Sequence, residues 1–212
     1  MAPDNLDIPR FCGNVFINCP FDADYRPLLR ALIFTLVDCG LSPRIATERA
    51  DSGESRVDKI KELIRQSGLS VHDISRMEPL KPGDLPRFNM PFELGLDLGC
   101  REFGPEPLPA KRCLILETEP YRYQKVLSDI SGNDIKHHRS DPETLVRCVR
   151  AWVVETVGLG RYNGTVIWRR FGECVGILAA AMAEAGGTGQ DVEEMPAPEF
   201  IRFVREWKLA NP

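Results

Sequence analysis

The chain has 212 residues, of which 43% are hydrophobic and 27% charged, with 17 glycines and 17 prolines. This composition fits one domain with a sizeable core, with or without an appendage, and excludes fibrous and disordered classes. A net charge of −4 gives no general attraction to nucleic acid or to acidic membrane surfaces, so neither is an expected partner.

No apolar run approaches the ~20 residues that span a bilayer. Residues 1–10 are polar and lack the basic start and apolar stretch of a secretion signal. Seven cysteines, at 12, 19, 39, 100, 113, 148 and 174, form no C-x-x-C pair, and several fall inside apolar runs. They read as reduced thiols of a cytoplasmic protein rather than a disulfide framework or a zinc site.

In chain order, residues 14–18 form a short apolar strand. A helix from about Tyr25 follows, with Leu28, Leu29, Leu32, Ile33, Leu36 and Val37 spaced for one buried face and Gly40 as its stop. Residues 43–47 read as a weaker strand. Ser55 caps a helix carrying Val57, Ile60, Leu63 and Ile64, and residues 69–74 form the third strand. A Pro-rich loop over 77–89 leads to a helix that runs to about Gly104. The clearest strand is 111–117, residues 134–137 form a short edge strand, and Asp141-Pro142 starts a helix lined by Leu145, Val149, Trp152, Val153 and Thr156.

Strands and helices therefore alternate five times, which demands parallel pairing through right-handed crossovers. The predicted fold is a doubly wound, flavodoxin-like α/β sheet of five strands in the order 2-1-3-4-5, spanning residues 13–157. After Gly158 the pattern changes. Residues 175–185 and 199–209 read as helices of a C-terminal extension, 158–212, packed on the sheet domain.

In such a sheet, ligands bind beyond the carboxyl ends of the strands where the strand order reverses, here between the first and third. The segments delivered there are 18–24, 73–76 and the start of the helix that carries Glu93, with Glu117 and Glu119 next door. Pro91 in the first helical turn puts Glu93 close behind it, near the positive end of the helix dipole. That favours an ionised carboxylate fit for nucleophilic or electrostatic work, and equally fits a merely helix-stabilising acid. Asp97 lies one turn on, on the same face; the like charges suit either a pocket or solvent exposure. Asp73 ends an apolar strand where a carboxylate can hold sugar hydroxyls, although a turn-forming Asp is the alternative. Asn18, Phe21, Asp22, Ser75 and Asn89 share this rim. Phe21 and Tyr25 offer rings to a base, and Asp24 reads as a helix cap. The segment 158–164 fails the dinucleotide-binding glycine spacing, no phosphate-binding P-loop occurs, and adjacent His137 and His138 point to opposite faces of a strand, a poor metal pair. Trp168-Arg169-Arg170-Phe171 reads as packing with a solvated edge.

Val15-Phe16-Ile17-Asn18, Asp73-Ile74-Ser75 and above all Asn89-Met90-Pro91-Phe92-Glu93-Leu94-Gly95 resemble bacterial TIR-like nucleotide-binding domains and the related nucleoside 2-deoxyribosyltransferases. The resemblance covers about residues 13–155. It maps the glutamate that acts at the anomeric carbon of a ribosyl group onto Glu93, and the sugar-holding aspartate onto Asp73. It implies cleavage of an N-glycosidic bond without a metal or other cofactor. The substrate is NAD or a related nucleotide in a TIR-like protein of antiphage defence or signalling, active as a homo-oligomer. In a transferase, a nucleoside donates its sugar to another base; a non-catalytic module would only bind the nucleotide or a partner.

Overall fold

The computed structural model describes residues 10–77 and 85–212; the polar start of the chain and positions 78–84 of the predicted 77–89 loop lie outside the described residues. A short helical turn, α1 (Arg10–Gly13), leads into five parallel strands: β1 (Asn14–Asn18), β2 (Ser42–Ile45), β3 (Leu69–Asp73), β4 (Arg112–Glu117) and β5 (Lys136–His137). Their order in the sheet is β2-β1-β3-β4-β5, the order predicted. β1 pairs with β2 and β3 along its length, Ile17 standing beside Ile45 and Val71.

Strand alternation divides the core. Val15, Ile17, Leu69, Val71, Leu114 and Leu116 point into one cluster with α2 (Arg26–Asp38) and α5 (Pro142–Val157). Phe16 points the other way, onto Ile60, Leu63 and Ile64 of α3 (Arg56–Arg65) and toward Leu96 of α4 (Asn89–Phe103). Ile115 joins Met90 and Leu94 of α4 on that same side. Each such large apolar side chain contributes about 1.5–3 kcal/mol when it leaves water.

Helix boundaries follow local chemistry. Ser55 accepts from the Asp58 amide at the start of α3, and Asp141 accepts from Thr144 ahead of Pro142 in α5. Asp22, rather than Asp24, makes the cap after β1: its carboxylate accepts the Tyr25 amide of the turn that precedes α2. Gly40 follows α2 at φ +90°, a conformation a side chain would strain.

The C-terminal extension consists of α6 (Gly164–Glu184), α7 (Gly189–Glu194) and α8 (Ala197–Ala210). α6 is longer than the predicted 175–185 because Asn163 caps it, accepting from the Val166 amide, and carries the helix straight through Trp168–Phe171. Arg170 there is buried, not part of a solvated edge: its guanidinium pairs with Asp38 at 2.9 Å and lies over the rings of Tyr162 and Trp207. Lys208 donates to the Val37 carbonyl at 2.7 Å, sharing with the Gly40 amide an acceptor at the end of α2. α2 is thus clad on both sides, by the sheet and by these helices, and its run from Leu28 to Val37 is buried save for Arg30. Core residues of α6 and α8, among them Ile167, Phe200, Val204 and Trp207, belong to the same cluster as Val15 and Leu32. All seven cysteines are free thiols. No helix among the described residues is long and apolar enough to cross a membrane.

Candidate functional site

The carboxyl ends of β1 and β3 meet α4. Alternation along β1 turns Asn18 to the α4 side, like Phe16, and alternation along β3 turns Ser70 and His72 the same way. On α4, Met90, Glu93 and Asp97 recur at spacings of three and four, so they share the face that packs inward, and all three are buried.

A continuous polar line results. Asn18 Nδ2 donates to the Met90 carbonyl at 2.8 Å and lies 2.9 Å from His72 Nδ1. With Asn18 donating, Nδ1 accepts and the ring hydrogen sits on Nε2, which reaches Asp97 Oδ2 at 3.0 Å. Lys111 Nζ approaches Asp97 Oδ1 at 3.1 Å and also donates to the Ile64 carbonyl at 2.8 Å and to the Ser67 carbonyl at the end of α3. The line ties β1, β3, β4, α3 and both ends of the first two turns of α4 into one frame, with Glu93 between its Met90 and Asp97 attachments.

Glu93 and Asp97 titrate in opposite directions. Burial pushes Glu93 up from 4.5 to about 7, against the weaker pull of Arg56, whose Nη2 is 3.8 Å from Oε1. Burial acts on Asp97 too, yet the hydrogen bond from His72, with the charge of Lys111, outweighs it and holds the group at about 2. Two carboxyls four residues apart therefore avoid mutual repulsion by being one charged and one poised near neutrality, a separation typical of sites that need distinct acid and base roles.

This corrects the sequence reading of Glu93. It is the fifth residue of α4, past the first turn, and 6% exposed, so desolvation rather than the helix dipole sets its proton. Asp97 likewise is buried, which removes solvent exposure as the reason for the close pair.

Asp73 stands at the carboxyl end of β3 as expected, but alternation sends it to the α2 and α5 side, away from His72. It is fully buried. Tyr25 donates its hydroxyl to Oδ2 at 2.5 Å, the Ser75 amide donates to Oδ1 at 2.9 Å, and His138 Nε2 approaches Oδ2 at 2.9 Å without hydrogen-bond alignment. Burial would raise this carboxyl; His138, Ser75 and Tyr25 together hold it lowered. Asp73 therefore braces the rim instead of opening toward a sugar, and Tyr25, 1% exposed, offers no ring to a base.

The remaining predicted residues divide similarly. Ser75 is half-buried, and its carbonyl accepts from Arg122, whose guanidinium also grips the buried Glu117. Asp22 is engaged by Arg76 at 3.0 Å and Arg87 at 3.4 Å as well as by its capping bond. Phe21 and Asp22 line a cleft on the α2 side that does not include Glu93 among its walls. Asn89 is exposed at the start of α4. Cys19, just after β1, joins the three acids: burial, then Asp73, Glu93 and Asp22 in that order, drive its thiol well up, so it stays protonated.

Sequence reasoning missed His72, Lys111 and Arg56. The signal for His72 was the alternation Leu69-Ser70-Val71-His72, which puts one polar residue after another on a single face of a buried strand. His72, Asp97 and Cys113 offer ligand atoms within 4.8 Å of one another. The Lys111 ammonium beside Asp97 opposes a cation, and burial drives the Cys113 thiol up to about 12, so these residues fit a polar frame better than a metal.

No protein-family model, curated protein or solved structure matches the chain.

Proposed function

We propose that the protein is a nucleotide-processing enzyme that cleaves an N-glycosidic bond, with Glu93 as the carboxylate beneath the sugar. The observation that carries this reading is a buried carboxyl with its proton balanced near pH 7, on the helix that follows the third strand, beside the point where strand order reverses. The transition state of such a cleavage resembles an oxocarbenium ion, and a desolvated carboxylate stabilises it or traps the sugar covalently. The resemblance of the Asn89–Gly95 segment to TIR-like domains makes NAD the first substrate to test, with nicotinamide as the leaving group and assembly into a homo-oligomer as the condition for turnover.

Glu93 must be ionised to act as nucleophile or charge stabiliser, so activity rises with pH through about 7. Incubating concentrated protein with NAD and following nicotinamide tests the reading; Glu93→Gln abolishes release. Equal release from the variant and the wild type sinks the assignment of Glu93. Base exchange between deoxynucleosides in the same assay replaces hydrolysis with deoxyribosyl transfer.

One observation favours a non-catalytic module instead. The Asp73 oxygens are engaged by Tyr25, Ser75 and His138, so the residue expected to hold the sugar is committed to the fold. Calorimetry that detects NAD binding with no turnover, in an oligomer as well as a monomer, selects that reading.

A further inference from the structure

The cleft lined by Phe21 and Asp22 lies on the opposite side of the sheet from Glu93. Its volume is about 490 Å³, within the range of ~300–1,000 Å³ typical of small-molecule sites. Three parts of the chain wall it: the start of α2, the turn after β2 and the joint between α7 and α8. Leu29, Ile33, Met195, Pro198 and Phe200 make it largely apolar, and Phe21 stands at its rim.

The cationic side of this cleft is in excess by one. Of its carboxylates, Asp22 is taken by Arg76 and Arg87 and Glu48 is gripped through both oxygens by Arg44, while the exposed Glu194 accepts only from the neutral Gln190 amide and keeps its charge against Arg26 and Arg30. Arg26 and Arg30 lie one turn apart on α2, on the same face, and neither makes an ion pair among the described residues. Arg30 is oriented by the Val192 and Glu193 carbonyls and lies 5.3 Å from the centre of the Phe200 ring. Burial, then the neighbouring charge of Arg26, holds its guanidinium below the ordinary value, against the weaker opposing charge of Glu193. Two like charges at this spacing repel, and an anion between them removes that cost.

We propose that this cleft binds a small amphipathic anion, one phosphate, sulfonate or carboxylate group held by Arg26 and Arg30 and a flat or aliphatic body laid against Phe21, Met195 and Phe200. Because its walls come from both the sheet domain and the C-terminal helices, such a ligand clamps α7 and α8 onto α2. The proposal does not depend on the reaction assigned to Glu93.

The test uses the full chain and the fluorescent aryl sulfonate 8-anilinonaphthalene-1-sulfonate. One dye binds per chain, and Arg26→Glu weakens it about tenfold or more. This variant is chosen because Arg26 is the first residue of α2, where an acid suits the helix dipole, so the fold tolerates it. Ala50→Trp, which fills the cleft from its exposed wall, abolishes binding, while Phe88→Ser with Phe92→Ser, at the exposed start of α4, leaves it intact. Adenosine monophosphate and octanoate then compete in separate titrations, and the one that displaces the dye identifies the body the cleft accepts. Unchanged affinity in both Arg26→Glu and Ala50→Trp overturns the proposal. So does loss of binding in the Phe88, Phe92 variant, or displacement by neither competitor.

Discussion

The two faces of the sheet are built from the same strands and solve burial in different ways. Toward α2 and α5 the strands send Val15, Ile17, Leu69, Val71, Leu114 and Leu116, and α6 and α8 thicken that layer with Phe200, Val204 and Trp207. Toward α3 and α4 they send Phe16 and Ile115, but also Asn18, Ser70 and His72, a polar set that meets the Met90 carbonyl and Asp97, with Lys111 on the far side of Asp97. The first face is held mainly by non-directional burial, with the Asp38–Arg170 pair and Asp73 set into it. The second depends on charges whose desolvation is costly unless each is paired in good geometry. A layer of that second kind leaves Glu93 desolvated and its pKa raised, whereas the carboxyl buried on the first face, Asp73, is held lowered by its partners. Asp73 marks the border: it lies on the α2 and α5 side, and the fold closes over it with Tyr25 and His138.

The largest expected effect comes from breaking the charged line on the α4 side. Asp97→Asn leaves the Lys111 ammonium buried without its counter-charge, which costs about 3–5 kcal/mol in urea unfolding. Adding Lys111→Met to that variant recovers part of the loss, because the uncompensated charge leaves with it. Additive losses in the double variant show the two groups to be independent and dissolve the contrast between the faces. On the dry face, Leu32→Ala costs about 2–5 kcal/mol by opening a cavity in α2, and the loss is the same at pH 5 and pH 8. A pH-dependent loss there means that the apolar packing of α2 is coupled to the titrating groups at its edge, such as Asp73 and Asp38.

The dry face was the legible one. Strand and helix periods wrote its apolar residues directly, and alternation gave the parallel sheet, with the strand order taken from a common order of doubly wound folds. The apolar run Ala31-Leu32-Ile33-Phe34 even carries the mark of a helix covered on both sides, which the C-terminal helices explain. The polar face was harder to read because its meaning lies in pairings distant along the chain. Asn18 meets His72 54 positions away, and Lys111 caps the end of α3 from 44 and 47 positions away. Glu93 was visible as a well-placed acid, but its proton depends on burial by elements that spacing does not bring together. Asp73 was placed at the right strand end, while the side to which it turns, and its closure by Tyr25 and His138, required coordinates.

Glu93 itself gives the next test. Its carboxyl keeps its proton in the folded protein up to about pH 7 but loses it near 4.5 when unfolded. The folded state therefore binds more protons between these values, and stability falls as pH rises through that window. At ~1.36 kcal/mol per pH unit, the wild type loses about 3 kcal/mol between pH 4.5 and pH 8 through this group. Glu93→Gln, which has no proton to lose, is the more stable protein at pH 8 and gains nothing at pH 4.5, while its NAD-cleaving activity is absent. Denaturant midpoints at the two pH values check this, and equal midpoints for the two proteins at pH 8 mean that Glu93 is solvated and ordinary.

The smallest effect, and the finest probe of the polar face, is at Arg56. This side chain is 57% exposed and stands 3.8 Å from Glu93 Oε1, where its charge opposes the effect of burial. An exposed pair at that distance contributes about 0–1 kcal/mol, so Arg56→Gln leaves unfolding midpoints nearly unchanged. It also removes an attraction that favours ionised Glu93, and the carboxyl moves further up. The acid limb of the pH–activity profile shifts to higher pH by a fraction of a unit, and 0.5 M salt produces part of the same shift in the wild type by screening the pair. A limb that stays in place in the variant means that Glu93 is set by burial alone, and the α4 face then differs from the α2 face only in the fixed line from Asn18 to Lys111.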